Sequence, residues 1–355
     1  MKFLKRMAFL VCMSVMLVCL IGCSRNSLSE KETKYYVAYS DIFKSQGLLC
    51  GIDEDGNYTS SQKIKLQDGT NAKLINGKTI IGGERANTHL LIDNDGSYKE
   101  FYLLDEPNYT GVCAITYDGD RVIASMNGGF SDGVYLNLLV VQDWSGNVGV
   151  KETIEIYAED ILYLDDTVYV VGAMDYAGED EGWIGKIISY DLNSGKMSEQ
   201  QFEAKKPFLN IQSLNDKLYC SVDTLNSGCH EIYILDKNTL EKIGSLNFTK
   251  NIEGLLAYDG KLYCEIGGAF CEINSEDGTV INTLYTLPDD SYIEHTAASN
   301  GKIYITTRFD TPKEGENDPI VGTQAVCNLS DNSLVETPIQ MNRKNYSFFV
   351  CSPLP

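Results

Sequence analysis

The side chains of this chain that could do chemistry are its carboxylates, histidines and cysteines, and spacing decides what each could do. Two acidic runs stand out: Asp175, Glu179, Asp180 and Glu181 in "AMDYAGEDEGW", and Asp310, Glu314, Glu316 and Asp318 in "RFDTPKEGENDPIVG". Either could offer oxygens to Ca²⁺, a cation that takes several, so Ca²⁺ is a possible ligand, although neither run has EF-hand spacing. The stretches "DEDGN" (53–57) and "DNDGS" (93–97) begin as calcium loops do but lack the distal Glu, and they read as turns. Histidine is scarce: His89, His230 and His295, no two at a metal-binding spacing. His295 falls in an expected innermost strand, where it could face a central channel. An acid pair for glycoside hydrolysis needs a carboxylate separation that spacing along the chain does not give. No Gly-x-Ser-x-Gly elbow, phosphate loop or dinucleotide glycine motif occurs in strand-to-helix context.

Most cysteines lie in apolar strands, where they serve as small buried hydrophobes. In "CEIGGAFC" a two-residue Gly267-Gly268 turn sets Cys264 directly across from Cys271, within disulfide reach. There is no Cys-x-x-Cys, hence no support for a thioredoxin-type site or a zinc knuckle.

The formal net charge is −21, and removal of residues 1–22, which carry Lys2, Lys5 and Arg6 and no acid, takes it to −24. Such a field repels a phosphate backbone and argues against nucleic acid as partner. An anionic membrane surface is repelled too, so attachment to a membrane must be covalent or hydrophobic.

The first residues, "MKFLKRMAFLVCMSVMLVCLIGC", give a basic start and an apolar run from Met7 to Leu20, too short for a good spanning helix. The run ends in Leu20-Ile21-Gly22-Cys23, which resembles the bacterial lipobox. That resemblance implies cleavage before Cys23, diacylglycerol on its sulfur, and export to the outer face of the cell membrane. Residues 1–22 are then the signal peptide. Residues 23–33, the lipidated cysteine and the polar "SRNSLSEKET", form a tether.

From residue 34 to 355 one unit recurs. A short turn leads into an apolar strand at "NGKTIIGG", "DGDRVIAS", "DDTVYVVG", "NDKLYCSV", "DGKLYCEI" and "NGKIYITT". The second turn residues are Gly77, Gly119, Asp166, Asp216, Gly260 and Gly301, spaced by 42, 47, 50, 44 and 41 residues. Each unit adds a second hairpin, as in "HLLIDNDGSYKEF" and "EIYILDKNTLEKI". Four short antiparallel strands at this period, here A to D, are a propeller blade. The first unit lacks strand A, while "NYSFFVC" (345–351) is a spare one. The chain is therefore expected to be all-β: a seven-bladed β-propeller of four-stranded blades, closed by the C-terminal strand pairing with the first blade.

This layout resembles the bacterial propellers of the quinoprotein-like and surface-antigen-repeat kind. It lacks the per-blade tryptophans of true quinoprotein dehydrogenases, having only Trp144 and Trp183, so pyrroloquinoline quinone is not expected, nor any other cofactor. In a propeller the B–C and D–A loops share one face. Here those loops vary, and variable loops on a rigid scaffold are where binding usually lives. The contact candidates are Tyr109, Phe130, Asp132, Asp175, Tyr176, Trp183, Tyr292 and Arg308. The reading that follows is a lipid-anchored binding module engaging a protein, peptide or glycan. An extracellular hydrolase, lyase or lactonase is the alternative and predicts acids, or a His and Arg, converging at the channel mouth. A scaffold in envelope assembly is the other.

Overall fold

A computed structural model describes residues 32–351 apart from 70, 132, 175–182, 225–227, 316–317 and 342–345. Its strands form seven four-stranded antiparallel sheets, and no helix occurs among the described residues. The chain is a seven-bladed β-propeller. In blades 2 to 7 the four strands follow in order. In blade 1 the innermost strand is the last of the chain, Tyr346–Cys351, paired antiparallel with Tyr35–Asp41 from Tyr36↔Cys351 to Asp41↔Tyr346. The expected closure is therefore present.

The turns that join A to B explain the repeat. Asn76-Gly77, Asp165-Asp166, Asn215-Asp216, Asp259-Gly260 and Asn300-Gly301 all have positive φ at both residues, the geometry that matches strand twist in a two-residue hairpin. The C–D turns spend their acids on the backbone. Asp53 Oδ1 accepts from the Asp55 and Asn57 amides, at 3.0 and 2.9 Å, and Asp143 Oδ1 does the same for Ser145 and Asn147. "DEDGN" is thus a turn, as read.

Stability comes from between the blades. Seven clusters of buried side chains fill the seven gaps. The gap between blades 7 and 1 holds Val37, Tyr39 and Ile52 against Tyr304, Val321 and Ile339. Full burial of one such aliphatic side chain contributes about 1.5–3 kcal/mol. Across the same seam the hydroxyls of Tyr39 and Tyr58 both donate to the Gln340 carbonyl, at 2.7 and 2.8 Å. Packing and hydrogen bonds together leave the ring no open edge at the seam.

Candidate functional site

Seven A strands line the channel, and in blades 3 to 7 the A strand slips against strand B. The slips fall between Val112 and Ala114, Ala158 and Asp160, Phe208 and Asn210, Glu253 and Leu256, and Ile293 and His295. A β-bulge of this kind leaves an extra residue unpaired and re-aims its side chain. The extra residues in blades 4, 5 and 7 are Glu159, Leu209 and Glu294. All three line a cavity of about 270 Å³ at the loop-face mouth of the channel.

The floor of that cavity is an ion pair. Lys73 Nζ of blade 2 lies 2.6 Å from Asp160 Oδ1 of blade 4 and also donates to the Ile161 carbonyl. Asp160 accepts in addition from the Ile161 amide at 2.8 Å and, through Oδ2, from the Ile211 amide at 3.0 Å. Beside them His295 Nε2 donates to the Ala72 carbonyl at 3.2 Å. Burial pulls the His295 imidazole down to about 4, so it is neutral and structural. Lys73 and Asn210 line this cavity and also a larger one, of about 380 Å³, at the opposite A–B mouth. They are common to the two vestibules.

The loop-face mouth is acidic and uneven. Loss of hydration, then the charges of Glu84, Asp160 and Asp223, push Glu159 up to about 7, although its side chain stays open to water in the mouth. Glu294 is also raised by burial, but Arg308 Nη1 sits 3.1 Å from its Oε1 and opposes the rise. Glu294 thus has a cationic partner, whereas Glu159 feels further carboxylates. Next to Glu159 stands an aromatic corner. Tyr157 meets Tyr135 edge-on at 4.8 Å and Trp183 at 5.6 Å, and burial and then Glu159 raise the Tyr157 phenol. The Tyr135 hydroxyl is anchored on Asn127 Oδ1 at 2.8 Å.

The residues expected from sequence divide. Trp183 closes the aromatic corner, Arg308 holds Glu294, and Tyr292, opposite Arg308 in the A–B register, is exposed beside them. Phe130 is exposed at the tip of a hairpin in blade 3, where it pairs with Tyr135. Tyr109 packs on the core between blades 2 and 3, over Gly128, where a Cβ would come 2.4 Å from its ring. Asp132, Asp175, Tyr176, Glu179, Asp180, Glu181 and Glu316 lie outside the described residues. Among the described residues no three His, Cys, Asp or Glu side chains converge on a metal position.

His89 is buried, accepts from the Gly83 amide through Nδ1 at 3.0 Å, and is pulled down to about 3. Cys264 and Cys271 stand opposite each other in register, and in the structure they are two separate buried thiols, both raised by burial.

Sequence reading missed Glu159, Glu294, Asp160, Lys73, Tyr135 and Tyr157. One signal was available. Glu159, Glu253 and Glu294 stand at equivalent places, six residues before their A–B turns, each in a strand of the repeat.

No protein-family model matches the chain, and no curated protein matches it. Solved structures do. It is similar to a streptogramin B lyase (TM-score 0.54, 15% identity, 89% of this chain and 91% of that one). Virginiamycin B lyase from Staphylococcus aureus gives 0.54 at 15% identity over 87% and 90% of the two chains. Apo AztD from Citrobacter koseri gives 0.51 at 10% identity over 91% and 99%. At these identities the likeness shows the fold alone: the chain shares the seven-bladed propeller with them.

Proposed function

We propose that this protein is a lipid-anchored binding module. Its loop-face mouth seats a cationic group, such as the ammonium or guanidinium of a basic protein or peptide. The observation that carries this reading is the placement of Glu159, bulged into a cavity mouth where it feels the charges of Glu84, Asp160 and Asp223, with Tyr157, two residues before it, in edge-on contact with Tyr135 and Trp183. A carboxylate excess attracts a cation, and an aromatic face favours one that sheds water easily. The ligand is expected to displace the Glu159 proton.

The tether supports the same reading. Tyr35, where the propeller begins, lies at the A–B end of blade 1, opposite the loops. A lipid on Cys23 would leave the loop face turned away from the membrane.

The test uses the full chain in detergent and fluorescence anisotropy with labelled arginine-rich and glutamate-rich peptides. The basic peptide should bind, weaken as salt rises, and weaken about tenfold or more with Glu159→Gln and with Trp183→Ala. Equal affinity for both peptides, or no effect of either substitution, sinks the proposal.

The enzyme alternative draws on the same residue. An acid held near neutrality at a channel mouth is what a general acid needs. Turnover of a small-molecule panel that vanishes with Glu159→Gln would favour it.

A further inference from the structure

The larger vestibule is at the opposite mouth, where the loops play no part. It measures about 380 Å³, within the range of small-molecule sites, and its walls are set by the ends of the A strands of blades 2 to 7. Three tyrosines ring it: Tyr117, Tyr163 and Tyr258. Each hydroxyl is tied down at a turn, which fixes the rings. Tyr117 donates to the Ile75 carbonyl, Tyr163 donates to Asp166 Oδ1 at 2.8 Å, and Tyr258 accepts from the Gly301 amide at 2.9 Å.

The floor has a different character. It is made by Lys73, Asn210 and Gln212. Gln212 Oε1 accepts from the Ala257 amide at 3.2 Å, and Asn210 Oδ1 accepts from Gln212 Nε2 at 3.2 Å. Each amide carbonyl thus has one of its two lone pairs engaged. The groups still on offer are mostly N–H: the two amide protons of Asn210, the second one of Gln212 and the ammonium of Lys73, against one remaining lone pair on each amide oxygen. The Lys73 charge is met by Asp160, so the floor is rich in donors without a large net charge.

We infer that this mouth is a second binding site, for a small ring-bearing molecule whose head is a carbonyl-type acceptor, its ring against the tyrosines and its oxygen on the Asn210 and Gln212 amides. A head that can only donate would leave most of these half-buried N–H groups unused, so an acceptor head is favoured. The inference rests on other groups than the loop-face reading does, the tyrosines and Gln212, although Lys73 and Asn210 line both cavities.

The test is saturation-transfer NMR on the full chain in detergent, with benzamide as the probe. Benzoate serves as its anionic counterpart and benzylamine as the donor-headed control. Benzamide should receive saturation, and its affinity should fall about tenfold or more with Gln212→Leu and with Tyr163→Ala. Tyr163 is at the rim, so its variant serves even if Gln212→Leu does not fold. Transfer to benzoate that is lost with the same variants would assign an anionic head to the same site. Benzylamine should show no transfer that these two variants abolish. The inference is overturned if neither benzamide nor benzoate receives saturation, if their signals survive both variants, or if benzylamine depends on Gln212 and Tyr163 as benzamide does.

Discussion

Glu159→Gln isolates one carboxylate whose folded environment opposes its charge. The carboxyl moves from an ordinary 4.5 to about 7, and the direction sets the sign. Below pH 4.5 it is protonated in both folded and unfolded chains and costs nothing. Between 4.5 and 7 the unfolded chain ionises first, and the folded state loses stability as pH rises; above 7 the loss is complete. The full linkage value for such a move is about 3 kcal/mol. The side chain remains open to water in the mouth, so screening leaves about 1 kcal/mol. Glutamine keeps the shape and never ionises. The variant should therefore match the parent near pH 4.5 and exceed it by about 1 kcal/mol at pH 8, about 1–2 °C in Tm for a domain of this size. Thermal unfolding of both proteins at pH 4.5, 6 and 8 reads the difference directly. A variant less stable than the parent at pH 8, or a difference that does not change with pH, refutes the electrostatic account of the mouth.

Four further outcomes follow from other parts of the ring. Lys73→Met leaves Asp160 charged and buried beneath the cavity and should cost about 3 kcal/mol, read by urea unfolding. Gly301→Ala meets nothing within 4 Å but must hold φ near +70°, so about 1 kcal/mol should be lost, and Gly301→Asn should recover most of it. Tyr39→Phe removes one of two donors to the Gln340 carbonyl while Tyr58 keeps it satisfied, so the cost should stay near 1 kcal/mol. Deleting residues 346–355 strips six residue pairs from the inner edge of blade 1 and should lower Tm by about 10 °C or more, with aggregation through the opened edge; an unchanged Tm would contradict ring closure.

The architecture was legible because its signals are local. Asn-Gly and Asp-Gly at fixed spacing mark positive-φ turns, and even Asp165-Asp166 and Asn215-Asp216, without glycine, keep that geometry. The surplus terminal strand told how the ring closes because strands are counted, not packed. The site was less legible for an equally physical reason. Period-two reading assumes unbroken pairing, and a bulge that slips one residue turns Glu159 and Glu294 toward the channel without any local mark beyond the acid itself. Attention to variable loops found Arg308, which holds Glu294 at the mouth, and Trp183, which packs edge-on against Tyr157, but it also drew in Tyr109, whose ring fills the space over Gly128. Lys73 meets Asp160 across 87 residues of sequence, a pairing that only the closed ring creates.

The most direct test is calorimetric titration of the full chain with the arginine-rich peptide at pH 7, repeated in buffers of different ionisation enthalpy. If the cation seats on Glu159, binding to the parent protein releases part of a proton, the observed heat varies with buffer, and Glu159→Gln abolishes both the release and most of the affinity. Binding with no proton release, or with release that persists in Glu159→Gln, would place the cation elsewhere and contradict the account.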